Sequence, residues 1–247
     1  MTKQAIVTGG ANGIGAAIVA ALDAAGYRVG VFDLKEEEVA RCVGDHANRV
    51  ALVGSVADEA QVAAAFDRFD AVPDLLVNNA GIGRFAPLVE QSVADFRAVV
   101  DVNLTGVYIC TREAVRRMTP KGAGHVVSLS SINGHTPAPG CGAYAATKSG
   151  VMQLTRQFAL ECSNRGIRFN SIAPGFIDGG MSAPFFADDK VRERRRNGVP
   201  LKRLGTVADI ANAVLMLDSP QAGYINGHEL VVDGGVVHSL LLQLPRE

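Results

Sequence analysis

Tyr144 and Lys148 stand four positions apart in the run Tyr144-Ala145-Ala146-Thr147-Lys148. The run reads as the opening of a helix, which puts phenol and ammonium on one face, one turn apart. Ionising a tyrosine of pKa near 10 at pH 7 costs about 4 kcal/mol, and one cation about 4 Å away at an effective dielectric near 20 is worth about 4 kcal/mol. The pair is therefore equipped for acid–base chemistry. The same spacing is common on solvated helix faces, so the reading depends on what else the chain supplies. Ser131 ends a strand candidate, and the Gly- and Pro-containing loop Gly134 to Gly142 returns the chain to Tyr144. A hydroxyl there can hold a substrate oxygen beside the phenol. Asn103, in Asp101-Val102-Asn103-Leu104-Thr105-Gly106, lies in an otherwise apolar helix candidate. Such an amide is either a bonded core group or part of a polar relay.

A second constellation suits a dinucleotide. Thr8-Gly9-Gly10-Ala11-Asn12-Gly13-Ile14-Gly15 follows a first apolar strand and leads into a helix through Leu22. Gly9, Gly13 and Gly15 let the backbone turn sharply and approach a pyrophosphate at the helix N-terminus. Taken alone, the loop could be no more than a tight strand-to-helix connection. The next strand ends at Asp33, where an acid can accept hydrogen bonds from both adenosine ribose hydroxyls and repel a 2′-phosphate. Asn12 stands in the loop and Lys35 is the only nearby cation, so NAD is expected over NADP. The alternative for Asp33 is a turn-forming role before Lys35 and Glu36. Asn78-Asn79-Ala80-Gly81 supplies short amides and a glycine at a further strand end, able to brace the sheet and leave space for ribose.

Positioning these groups requires a particular architecture. Short β-branched runs at Ala5–Thr8, Arg28–Asp33, Val50–Val53, Asp74–Asn78, His125–Ser130, Arg168–Ala173 and Glu229–Val232 alternate with Ala-rich helical stretches. Continuous apolar runs such as Leu75-Leu76-Val77 suit strands covered on both faces. Strand and helix in alternation predict an α/β, doubly wound Rossmann fold: a seven-stranded parallel sheet with helices on both faces, residues 1–247 forming one domain. Between about 176 and 204 the pattern breaks around Gly179, Gly180, Pro184 and Pro200, with a short basic helix over Asp188 to Asn197. This segment is expected as a small lid over the crevice beyond the strand ends.

Composition excludes other classes. Lys and Arg total 24 against 25 Asp and Glu, which gives no global field for nucleic acid. The four cysteines, Cys42, Cys110, Cys141 and Cys162, lack metal-ligand or disulfide spacing. Neither a metal nor a disulfide framework is expected, and a reducing cytoplasm fits. Met1-Thr2-Lys3-Gln4 leads straight into an apolar run, so no export signal is expected. No stretch reaches the roughly 20 apolar residues of a membrane helix.

The chain resembles the short-chain dehydrogenase/reductase family, in the compact subtype with a TGxxxGxG loop. The glycine loop, Asp33, Asn78 to Gly81, Asn103, Ser131, Tyr144 with Lys148, Pro174-Gly175, Asn226-Gly227 and Val231-Val232-Asp233-Gly234-Gly235 carry that resemblance in family order. It implies that Tyr144 is the acid in reduction and the base in oxidation, and that Lys148 binds the nicotinamide ribose and lowers the tyrosine pKa. Ser131 would position the carbonyl oxygen, and Asn103 would hold a water linking Lys148 to solvent. Gly9, Asn12, Gly13, Ile14, Gly15, Asp33, Leu34, Ser55, Val56, Asn79, Ala80, Gly81, Tyr144, Lys148, Pro174, Gly175 and Ile177 would contact the cofactor. Ser131, Asn133, Cys141, Tyr144 and Phe176 would contact substrate, with Ile132 and Gly83 to Phe85 completing the wall.

Two positions depart from the family. Where a Thr often follows Pro174-Gly175, this chain reads Phe176-Ile177-Asp178-Gly179-Gly180, so the backbone, Asp178 or Ser182 must substitute; Ser55 replaces a frequent Asp. Arg192, Arg194, Arg195 and Arg196 are either a solvated run or a receptor for an anionic or carrier-linked substrate. His135 reads as a loop donor. The resemblance also suggests a homotetramer pairing through helices around Asn103–Met118 and Tyr144–Cys162, with the apolar tail Val236 to Leu244 against a neighbour. The resulting expectation is NAD-linked interconversion of a small polar secondary alcohol and its ketone: a sugar, polyol or hydroxy acid. The alternatives are a reductase resembling the 3-oxoacyl carrier-protein reductases, which Asp33 opposes, and a non-catalytic dinucleotide sensor.

Overall fold

The computed structural model describes residues 2–243. Leu244, the last residue of the apolar tail singled out above, lies outside them. Apolar residues at consecutive positions fill both faces of the strands. In β1 (Gln4–Thr8), Ala5 and Val7 point to one side and Ile6 to the other, as the two-residue period of a strand requires. On the first side, Val29 and Val31 of β2 (Arg28–Asp33) and Leu75 and Val77 of β4 (Leu75–Asn78) meet two helices. These are α1 (Gly13–Ala24), through Ile18, Val19 and Leu22, and α8 (Val207–Asp218), through Ile210 and Val214. Ile6, Phe32 and Leu76 face the other side with Leu52 of β3 (Arg49–Val53). There they pack on α3 (Glu59–Phe69) and α5 (Gly106–Met118), while α2 (Glu36–Val43) follows β2.

The sheet is completed by β5 (Gly124–Leu129), β6 (Ile167–Pro174) and β9 (Glu229–Val232). Its order is β3-β2-β1-β4-β5-β6-β9, and every pairing is parallel. Each of the seven expected strands is present, with ends moved by at most one residue. The order reverses between β1 and β4, which opens a crevice beyond their carboxyl ends. Glycine loop, Asp33 and Asn78 all stand at that edge.

Two elements are aimed at the crevice. A helical stretch starting with α4 (Val93–Val100) passes through a π-helical turn, Asp101–Thr105, into α5. The long α6 (Ala143–Cys162) packs against β6 and that turn. After β6 come β7 (Ile177–Asp178), a 3-10 stretch Gly180–Ala187 and α7 (Asp189–Gly198), then β8 (Gly205–Thr206) paired with β7. The expected basic helix is α7, capped by Asp188, whose carboxylate accepts from the Lys190 and Val191 amides. Among the described residues no helix is long and apolar enough to cross a membrane.

Candidate active site

The glycine loop is held open from two sides. Asn79 Nδ2 donates to the carbonyls of Thr8 (3.0 Å) and Gly9 (2.8 Å), and the Thr8 hydroxyl accepts from the Asn79 and Ala80 amides. The amides after β4 therefore brace the loop. Gly13 has φ +53°, and a Cβ on Gly15 would sit 1.9 Å from the Gly9 carbonyl oxygen. Only glycine fits at 15, and the Ile14 amide at the start of α1 remains among those facing the crevice. This cradle suits a pyrophosphate.

Asp33 stands where β2 ends. Its Oδ2 accepts from Ala11 N (3.1 Å) and its Oδ1 from Leu34 N (2.8 Å), while Leu34 itself is 65% exposed beside it. Glu38, which the sequence reading did not single out, accepts from Asn12 Nδ2 and pairs with Lys35 Nζ at 3.0 Å. Lys35, the cation next to Asp33 in sequence, is thus already partnered, through an i,i+3 spacing that was available as a signal. Ser55 Oγ accepts from Ala57 N, and Val56 is buried against Gly106.

The second cluster forms where α6 begins. Tyr144 and Ser131 share a hydrogen bond between their hydroxyls. Burial pushes the Tyr144 phenol above its ordinary range, the Ser131 bond opposes this, and the nearby Cys141 thiol adds to the rise. Phe85 meets the Tyr144 ring edge-on, with centroids 5.7 Å apart. Lys148 is 4% exposed, so the solvated-pair alternative is excluded. Its Nζ donates to the Leu129 carbonyl at 2.8 Å and lies 5.6 Å from the Tyr144 ring centroid. Burial lowers the Lys148 pKa from 10.5 to about 8.

The sequence places the Tyr144 phenol and the Lys148 ammonium one turn apart on α6, and Nζ lies against the Tyr144 ring. Both side chains leave the same face of α6, but the end of β5 presents a carbonyl that takes the ammonium.

Asn103 is fully buried on the π-helical turn. Its Oδ1 accepts from Ile82 N (2.8 Å) and its Nδ2 donates to Ile82 O (2.9 Å), with Thr147 Oγ1 at 3.4 Å. The amide pins the loop that carries Gly81, where a Cβ would come 3.3 Å from Asn103 Oδ1 and 3.6 Å from Lys148 Nζ. Of the two roles left open for Asn103, the geometry displays the bonded amide. π-turns of this kind recur at functional sites.

Past β6, a Cβ on Gly175 would sit 2.6 Å from Asp233 Cα, and Gly175 N donates to Val232 O. Pro174-Gly175 thereby turns the chain over the end of the sheet. Phe176 lies beneath the Arg195 guanidinium, 4.7 Å from its ring centroid, and Ile177 is buried. Asp178 grips the Arg192 guanidinium with both oxygens and is not left to take the role of the missing Thr. Gly180 packs on the glycine loop, so close that a Cβ on Gly13 would lie 2.6 Å from Gly180 Cα.

Around the mouth, Asn133 N donates to Ser131 Oγ (3.1 Å), and Cys141 bridges to Ala86. Three further groups had no pattern to reveal them. Met181 reaches Gly83; Gln91 Oε1 accepts from Ala143 N at the start of α6; and buried Glu229 accepts from the Ser130 hydroxyl. His135 Nε2 stands 2.6 Å from Glu229 Oε2, a poorly directed contact that leaves the oxygen without a proper hydrogen bond. His135 is a loop partner, away from the phenol.

A family model described as enoyl-(acyl carrier protein) reductase matches residues 9–237. A 3-oxoacyl-[acyl-carrier-protein] reductase of Staphylococcus aureus is 38% identical, covering 96% of this chain and 98% of that protein. A gluconate 5-dehydrogenase of Burkholderia cenocepacia, solved with NADP and tartrate, superposes with TM-score 0.91 at 31% identity, over 96% of each chain. A 3-oxoacyl-[acyl-carrier protein] reductase of Brucella melitensis, solved with NAD, gives 0.87 at 32% identity, over 95% of this chain and 91% of that one.

Proposed function

The chain belongs to the short-chain dehydrogenase/reductase family, oxidoreductases of alcohol and ketone groups, and on that premise we propose that it is NAD-dependent and acts on a small polar secondary alcohol. The observation that carries the reading of the chemistry is the Ser131–Tyr144 hydroxyl pair beside the buried Lys148 ammonium. Tyr144 takes the substrate hydroxyl proton during oxidation and returns it during reduction, while Ser131 holds the same oxygen. A phenol raised by burial needs help to ionise, and Lys148 supplies a positive charge that is costly to bury. Bound NAD supplies the hydride acceptor at nicotinamide C4. Asn103 fixes the loop around Gly81, so the floor of the site keeps its shape.

Asp33 favours NAD because its carboxylate would face a 2′-phosphate, and Glu38 pairs with the neighbouring cation Lys35. A relative holds NADP and another NAD, so the family leaves the choice open, and the local charge supports NAD. Gluconate in the name of one relative agrees with a polyhydroxy or hydroxy-acid substrate. Asn133, Cys141 and Phe176 line the substrate side, and 176–204 acts as the lid. The protein is cytoplasmic and assembles as a homotetramer in this reading.

The test is NADH formation across sugars, polyols, hydroxy acids and simple secondary alcohols, with NADP for comparison. A substrate turned over with NAD at least tenfold more efficiently than with NADP, and lost in Tyr144→Phe, is expected. Equal or better use of NADP overturns the cofactor assignment, and full activity in Tyr144→Phe overturns the chemistry.

A further inference from the structure

The arginines of α7 are not equivalent. Arg192 closes on both oxygens of Asp178, with NH1 at 3.2 Å from Oδ1, and so fastens one face of the helix to β7. Arg195 is three residues further on, hence on the same face. Arg196 pairs with Glu193 at 3.3 Å. Arg195, by contrast, has no carboxylate within ion-pairing distance among the described residues. Its guanidinium lies over the Phe176 ring, 4.7 Å from the centroid.

The register places this stack at the site. Leu129 is level with Ile172 across β5 and β6, so Ser131 and Pro174 end their strands side by side. Phe176 follows two residues after Pro174, just past that strand end. A guanidinium held over a ring face keeps N–H donors in its own plane for a further partner. An in-plane fork of donors is the complement of a carboxylate.

We infer that Arg195 is the anion receptor of this site and that the substrate is a hydroxy acid, its carboxylate held by Arg195 while its secondary hydroxyl lies at Tyr144 and Ser131. This rests on the functional reading above and narrows its substrate class. A solvated arginine would serve no substrate and would make an acid and its uncharged counterpart equally good. A receptor at the rim separates them. Arg192 acts here as a positioning residue, since its grip on Asp178 sets the face that Arg195 presents.

The experiment compares matched pairs that differ only in the carboxylate: an aldonate with its alditol, and 3-hydroxybutyrate with butan-2-ol, with 2-hydroxypropyl phosphate as a second anion. Wild-type enzyme, Arg195→Met and Arg195→Lys are assayed with saturating NAD. At least one acid is expected to show a KM roughly 10–100-fold below its neutral partner, the scale of one charged hydrogen-bonded contact. Arg195→Met, which keeps an apolar cover on Phe176, should close that gap by raising KM for the acid at least tenfold more than KM for its neutral partner. Arg195→Lys should restore part of it. Equal KM values for acid and neutral partner, or an acid preference that survives Arg195→Met, overturn the anion receptor and leave the dehydrogenase reading intact. A lower KM for the phosphate than for every carboxylate overturns the hydroxy-acid assignment. No turnover of any member with either dinucleotide overturns the functional reading itself.

Discussion

Replacing Lys148 by Met should make the protein more stable while destroying its activity. The ammonium is 4% exposed, and burial alone brings its pKa from 10.5 to about 8. A lysine pKa that is lower in the folded chain means that the unfolded chain binds the proton more tightly. The folded state therefore carries a penalty at every pH below about 10.5, largest below about 8. At pH 7 the penalty is about 3 kcal/mol, and at pH 9.5 about 1 kcal/mol. Methionine fills a similar volume without the charge but loses the bond to the Leu129 carbonyl, which costs about 1 kcal/mol. The variant should gain about 2 kcal/mol at pH 7 and almost nothing at pH 9.5. Urea unfolding followed by circular dichroism reads this directly: with an m-value near 3 kcal/mol/M, the midpoint rises by about 0.7 M at pH 7. A variant less stable than wild type at pH 7, or a gain that does not shrink by pH 9.5, refutes the reasoning. Either result would mean that the surroundings of Lys148 stabilise its charge and do not merely tolerate it.

Other outcomes follow from single contacts. Gly15→Ala forces a Cβ to within 1.9 Å of the Gly9 carbonyl oxygen; NADH binding followed by fluorescence should weaken at least 100-fold, and retention of wild-type affinity would show that the loop yields. At the opposite end of the sheet, His125 is buried between Asp218, 3.0 Å from Nδ1, and Asn170, whose Nδ2 faces Nε2 at 3.1 Å. Burial, with Arg168 and Lys3 nearby, lowers the His125 pKa against the raising effect of Asp218. The unfolded chain then takes up the proton first, so stability present above about pH 6.5 is lost as the pH falls below it. Urea midpoints should fall between pH 7 and 5.5, and His125→Gln should flatten that fall; an unchanged slope would assign the acid sensitivity elsewhere.

The sequence by itself determined the strands and the candidate groups at their carboxyl ends. Val7, Val31 and Val77 sit in apolar runs too short and too β-branched for helices, and each run ends in a small polar residue that marks a carboxyl edge. Gly9, Gly13, Asp33, Ser131, Tyr144 and Lys148 were legible because each answers a local demand of backbone conformation or chemistry. What the tertiary structure decided are the pairings between distant segments. Lys148 donates to the Leu129 carbonyl at the end of β5; Asn103 spends its amide on Ile82; Asp178 is taken by Arg192; Glu38 neutralises Lys35; and Gly180 lies on Gly13. Spacing along the chain fixes which face of an element a side chain leaves from. Which partner it then meets depends on packing that brings together residues far apart in sequence, such as Gly13 and Gly180, and no local pattern encodes that.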